Sequence, residues 1–151
     1  MHRKIIGVIG GSQCTPEVAE LAERVGEEIA RRGGIIICGG LTGVMEAACR
    51  GAKKYSGLTI GILPGNEKWE ANPFLDVPIA TGMGDARNVI IIRTADAVIA
   101  VDGEYGTLSE MAFCLKFNKP LVGLRTWAID PKIVHANDAV DAVNKAFDLL
   151  R

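Results

Sequence analysis

The stretch "DAVIAVDGEYGTLSEMAFCLKFNKPLVGL", residues 96–124, carries a complete fold signature in 29 residues. Residues 96–103 form an apolar run of Ile, Val and Ala without polar alternation, as expected of a strand buried on both faces. Gly103 and Gly106 then punctuate a turn, and "GTLSEMAFCLKFN" (106–118) reads as a helix. A second apolar run, "KPLVGL" (119–124), follows at once. Strands buried on both faces and joined by a helix fit a parallel sheet covered by helices, since parallel neighbours need such a crossover.

The same alternation extends to both ends of the chain. "KIIGVIG" (4–10), "GIIICG" (34–39), "LTIGILP" (58–64) and the shorter "DVPIAT" (76–81) are further strands, about six in all. Helices are predicted at 15–33, 43–57, 86–95 and 137–151. The first has Thr15 as N-cap, Pro16 at the first helical position, early acids, and Arg-Arg-Gly at its end. Val18, Leu21, Val25 and Ile29 share one of its faces. Helix 43–57 is closed by basic residues and Gly57, and helix 137–151 is capped by Asn137. The pattern predicts one α/β domain over 1–151, with a doubly wound, mainly parallel sheet covered by helices on both faces. Residues 65–76 form the one long irregular loop.

Of the 151 residues, 48% are hydrophobic and 23% charged, with a formal balance of −1. That is an ordinary globular profile without a global attraction to nucleic acid or anionic membrane, so phosphate binding requires a local site. No apolar run reaches membrane length, and the chain is expected in the cytoplasm. Cys14, Cys38, Cys49 and Cys114 form no CxxC pair, so a metal or redox motif has no support. Cys14 stands just before a helix start, where a thiol can be acidified, although an unreactive small side chain is the simpler reading.

Three strand-to-helix connections carry glycine. The first holds Gly10, Gly11 and Ser12; the second Gly39, Gly40, Thr42 and Gly43; the third Gly103, Tyr105, Gly106 and Thr107. Glycine permits close backbone approach, and a helix N-terminus offers free N–H groups at the positive end of its dipole. One such loop is only a tight turn. Three converging at the carboxyl edge of one sheet suit a small phosphorylated ligand. The G-x-G-x-x-G fingerprint and the Walker lysine are both absent, which argues against a dinucleotide dehydrogenase and an NTPase.

"GGLTGVMEAACRGA" (39–52), "ILPG" (62–65), "TGMGDARNVI" (81–90) and "GEYGTLSE" (103–110) resemble the LOG-like family in order and spacing. This group includes the LONELY GUY cytokinin-activating phosphoribohydrolases and was long mislabelled "possible lysine decarboxylases". The likeness runs from the first strand to about residue 124 and is nearest to the bacterial branch similar to the molybdenum-cofactor carrier protein. It implies a three-layer Rossmann-like fold, a homodimer, and a bound nucleotide monophosphate or molybdenum cofactor. The hydrolases carry P-G-G-x-G-T-x-x-E. On that pattern Gly103, Gly106, Thr107 and Glu110 are kept, whereas Asp102 replaces Pro and Glu104 replaces the second Gly. Arg87 matches the family's catalytic Arg, while Gly84 and Asn88 stand where a His and a Lys are common.

Two functions follow from the resemblance: a cytoplasmic carrier of a nucleotide or pterin cofactor, or a nucleoside 5′-monophosphate phosphoribohydrolase using Arg87 and Glu110. Single-stranded DNA binding ranks last for want of a basic patch. Each named side chain also has a plain structural role available. Glu110 and Glu46 suit helix dipoles, and Arg87 suits a surface pair with Asp85 or Asp96. Trp69 and Phe74 stack on a base or pack on a second subunit, and the apolar 89–92 suggests a homodimer. His2 and His135 match no motif.

Overall fold

The computed structural model describes residues 2–151. Its strands are β1 (Ile5–Gly10), β2 (Ile35–Cys38), β3 (Thr59–Leu63), β4 (Val77–Ala80), β5 (Ala97–Val101), β6 (Leu121–Leu124) and β7 (Val134–His135). The helices are α1 (Pro16–Arg31), α2 (Val44–Lys53), α3 (Asn88–Thr94), α4 (Tyr105–Lys116) and α5 (Ala139–Asp148). The strands lie in the order β4-β3-β2-β1-β5-β6-β7, and every pairing is parallel. The fold is therefore a three-layer, Rossmann-like α/β sandwich, as the sequence predicts.

Both faces of the sheet are covered. Ile6, Val8, Ile36 and Ile99 point toward α1, α2 and α5, while Ile9, Ile37, Val98 and Ala100 point toward α3 and α4. All five residues of β5 are buried, which is why its sequence has no polar alternation. Two mid-helix glycines bring α1 and α2 into backbone contact: a β-carbon on Gly26 would fall 1.9 Å from the Ala48 carbonyl oxygen, and one on Gly51 equally close to that of Glu23. Among the described residues, no helix is long and apolar enough to cross a membrane.

Several local expectations shift. Thr15 does cap α1, accepting from the Val18 N–H at 3.2 Å. At α5 the cap is Asp138, not Asn137: the Asp138 carboxylate accepts from the Asp141 N–H at 2.8 Å, while Asn137 donates its own N–H to Asp141. An ionised acceptor is the stronger partner for a helix N-terminus, which explains the one-residue displacement. α2 ends at Lys53, and its left-handed turn falls on Ser56 (φ 56°) before Gly57. The segment 86–95 divides into a 3-10 turn, Gly84–Arg87, and α3. The two-residue β7 is too short to leave a sequence pattern.

From β1 the chain moves outward through β2, β3 and β4; from β5 it moves the other way through β6 and β7. The connections after β1 and β5 consequently diverge, leaving a crevice at the carboxyl ends of these strands, where such sheets bind ligands.

Candidate functional site

A cavity of about 240 Å³ opens in that crevice. The first loop contributes Gly10, Gly11 and Ser12; the second contributes Gly39; the third contributes Glu104, Gly106, Thr107 and Glu110. Met45, Asp85, Arg87 and Asn88 complete its polar and sulfur-bearing wall. Gly40, Thr42 and Gly43 do not line it. Thr42 and Gly43 fasten the second loop to the first: Thr42 Oγ1 donates to the Ser12 carbonyl at 2.8 Å, and a β-carbon on Gly43 would strike the Gly11 carbonyl oxygen at 2.3 Å; Gly40 packs against Leu63 and Leu75. Gly103 and Tyr105 line a separate, adjoining cavity.

The three helix N-termini are not equivalent. α1 is capped by Thr15; α2 has no side-chain cap, but its first N–H is donated to the Gly11 carbonyl at 3.0 Å. α4 has no side-chain cap, and the N–H groups of Tyr105, Gly106 and Thr107 have no partner among the described residues. Gly106 adds to this. A β-carbon there would meet no protein atom within 4 Å, so packing does not require glycine. Its φ is not positive either, so neither packing nor backbone conformation requires glycine at this position of the cavity wall. Gly103 differs: its φ is 109°, and a β-carbon would collide with Thr107 Oγ1 at 2.4 Å.

Asp102 occupies the position of the hydrolases' proline with φ 50°, which proline's ring forbids. The chain therefore leaves β5 by a different path from a Pro-initiated loop. The Asp102 carboxylate is exposed and outside the cavity, whereas the exposed Glu104 lines it.

Arg87 is only 7% exposed and makes no ion pair with Asp85 or Asp96 among the described residues. Asp96 instead accepts from the Ile5 N–H, at the other end of β1. Arg87 donates Nε–H to the Ile62 carbonyl at 2.8 Å, reaches the Gly39 carbonyl at 3.4 Å, and hydrogen-bonds Asn88 Oδ1. Three of its five N–H donors are thus spent on the ends of β2 and β3 and on Asn88, and two remain for the cavity. Burial draws its guanidinium below the usual value, opposed by the negative charges of Glu110 and Asp85.

Glu110, 9% exposed, faces the same cavity one helical turn beyond Gly106. Burial pushes its carboxyl up to about 7, with Arg87 pulling in the opposite direction. Arg87 and Glu110 are not within 4 Å of each other, so they flank the cavity without neutralising one another in direct contact. Glu110 accepts no hydrogen bond among the described residues.

Other sequence candidates fall elsewhere. Glu46 pairs with Arg50 at 3.9 Å. Phe74 packs against the α1/α2 core beside Arg50, and Trp69 is 76% exposed and lines neither of these two cavities. The Cys14 thiol is pushed up by burial and by Asp102, so the helix start does not acidify it. Buried Cys38 and Cys49 stand 3.7 Å apart; their hydrogen bond lowers Cys38 and raises Cys49. Sequence reading missed Trp127, which follows β6 and faces Tyr105; a lone aromatic after an apolar run gives no signal.

The SLOG cluster4 family model matches residues 3–148. An uncharacterized protein of Archaeoglobus fulgidus is 52% identical over 120 residues, 80% of this chain and 79% of that one. The cytokinin riboside 5′-monophosphate phosphoribohydrolase of Mycobacterium tuberculosis is 31% identical over 120 residues, covering 74% of this chain but only 64% of its own length. The fold is similar to the molybdenum cofactor binding protein of Rippkaea orientalis (TM-score 0.95, 36% identity, 100% of this chain and 99% of that one). It is also similar to the molybdenum cofactor carrier protein of Chlamydomonas reinhardtii (TM-score 0.88, 34% identity, 99% of each chain).

Proposed function

Because the chain belongs to the SLOG cluster4 family, within the wider LOG-like group, we propose that it binds a phosphorylated nucleotide or pterin cofactor and holds the phosphate at the N-terminus of α4. The observation that carries this reading is the uncapped first turn of α4, presented to the cavity by a glycine that packing does not require. Free N–H groups at the positive end of a helix, the Thr107 hydroxyl and the two remaining Arg87 donors form a suitable donor set for a phosphate. The likeness to molybdenum cofactor binding and carrier proteins supports a pterin phosphate as the ligand class.

The test is thermal denaturation with nucleoside monophosphates and molybdopterin, comparing the wild type with Gly106→Ala. A ligand at a hundred times its Kd should stabilise the wild type by about 2.7 kcal/mol, a rise of roughly 5–10 °C. Gly106→Ala should raise the ligand-free midpoint by roughly 1–3 °C and lose most of the ligand's increment. A variant that gains stability and keeps full ligand response would overturn the α4 assignment.

A specific observation favours a second reading. Glu110 and Arg87 face one cavity without pairing, and Glu110 is poised near neutrality. In N-glycosidic hydrolysis a carboxylate can stabilise an oxocarbenium-like sugar or activate water. Release of free base from a nucleoside monophosphate, abolished in Glu110→Gln, would establish this reading over pure carriage.

We also propose a homodimer. Ile91 and Ile92 of the apolar 89–92 stretch are fully buried against their own sheet. The edge strand β4 instead exposes Val77 (41%) and Ile79 (43%), in register with Ile60 and Ile62 of β3, and Met83 (48%) is exposed just after it. Light scattering at micromolar concentration should give the mass of two chains, and Val77→Lys/Ile79→Lys should give one. A monomeric wild type would refute the dimer.

A further inference from the structure

We propose that Tyr105, Trp127 and Glu104 form a second subsite, beside the α4 phosphate site, for a planar heterocycle carrying amino and ring N–H donors, as guanine and pterins do. This rests on the phosphate reading above and extends it. The subsite is a cavity of about 280 Å³ walled by Gly103, Glu104, Tyr105 and Trp127. Glu104 also lines the phosphate cavity, so the two spaces adjoin. Neither alone reaches the ~300 Å³ at which small-molecule sites usually begin, but together they do.

Trp127 packs its ring on the core beneath α3 and α4, whereas the exposed side chains of Glu104 and Tyr105 have no evident role in the fold. Tyr105 is 81% exposed, although its ring is backed by Trp127 with centroids 6.3 Å apart and planes 25° apart. An exposed tyrosine held against a second aromatic is a platform whose outer face is free, and every nucleobase or pterin offers a π-face to it. Trp127 Nε1 is the one buried side-chain polar atom without a hydrogen-bond partner among the described residues.

The backbone on both sides is held in an uncommon conformation. Val101 and Leu124 are paired at the ends of β5 and β6, and each is followed by a left-handed non-glycine residue, Asp102 (φ 50°) and Arg125 (φ 55°). Thr126 Oγ1 donates to the Asp102 carbonyl at 2.6 Å and ties the two loops together. Such strain is retained where surrounding structure enforces it, commonly around binding sites.

Glu104 then has a use. Beside a phosphate alone its charge is unfavourable. Beside a heterocycle, its two oxygens accept from an adjacent amino group and ring N–H, a bidentate match offered by guanine and by pterins.

The test measures Kd for guanosine 5′-monophosphate, neopterin monophosphate and ribose 5-phosphate by calorimetry, with Trp127 emission followed in a Trp69→Phe background. Ring-bearing ligands should quench Trp127 and bind at least tenfold tighter than ribose 5-phosphate. Tyr105→Ala should weaken them roughly tenfold and leave ribose 5-phosphate unchanged, with Tyr105→Phe retaining affinity. Glu104→Gln should weaken guanosine 5′-monophosphate about tenfold and strengthen ribose 5-phosphate severalfold, because one change removes both an acceptor and a repulsive charge. Equal affinities for all three ligands, or equal losses for all three in Tyr105→Ala, would overturn the subsite and leave the phosphate site standing. Failure of every ligand to bind would overturn both.

Discussion

Glu110→Gln is expected to stabilise the ligand-free protein, weakly in acid and strongly from neutral pH upward. The Glu110 carboxyl has an ordinary value of 4.5 and is raised by burial to about 7 in the fold. Between these limits the native chain keeps a proton that the unfolded chain has released. Stability therefore falls as pH rises through that window, and the full penalty applies above pH 7. At 1.36 kcal/mol per pH unit the displacement amounts to roughly 3 kcal/mol, which is about 6–12 °C in midpoint for a chain of this size. Gln is neutral at every pH, so it escapes the penalty. The midpoint difference between variant and wild type should approach zero near pH 4.5, grow through pH 5–7, and level off above pH 8. Calorimetry across that series checks it, and a difference independent of pH would show that Glu110 is ionised in the fold at neutral pH. A buried acid retained at such a cost is expected where it serves a ligand, because the same substitution should abolish any base release.

The fold was legible because both of its periods are strong. The apolar runs at 4–10, 34–39, 58–64 and 96–103 contain no alternation, and parallel strands buried on both faces require none. Thr15, Pro16 and Arg31 place α1 almost to the residue, since each capping preference has a local cause. What escaped depends on tertiary placement. Gly40 and Gly43 look like Gly106 in sequence, yet only the structure shows that the first two serve loop packing and the third faces open space. Gly40 and Gly43 have φ of 78° and 68°, and Gly106 has no such constraint. Trp127 was invisible because its partner, Tyr105, lies 22 positions away on another element. The β4 edge illustrates the same limit. Residues 89–92 promised an interface by composition, but an apolar run does not reveal which of its faces its own sheet consumes.

Arg87→Met is expected to be the most damaging single change in the site, and its size should depend on pH. Arg87 bonds the Ile62 and Gly39 carbonyls and Asn88, so it clasps the ends of β3 and β2 from the start of α3. Met fills comparable volume but donates nothing, leaving two buried carbonyls and one amide without their partner. Losing a buried, charged donor of this kind costs about 3–5 kcal/mol, roughly 6–20 °C in midpoint. Arg87→Lys should recover only part, because a single ammonium cannot reproduce a planar fork that spans three acceptors. Arg87 also lowers the Glu110 carboxyl, so its removal should move that group further up and extend the window of falling stability toward higher pH. The loss caused by Arg87→Met should therefore be larger at pH 8.5 than at pH 5, and this difference should vanish in the Glu110→Gln background. A double-mutant cycle at both pH values measures it directly. Were Arg87→Met neutral at both, Arg87 would be a free, ligand-facing cation and not a clasp, and its full charge would be available to the phosphate. The clasp explains why a cation is tolerated at 7% exposure with no ion pair closer than 4 Å among the described residues: carbonyl dipoles from two strand ends hold it on the cavity wall, with two of its donors unspent.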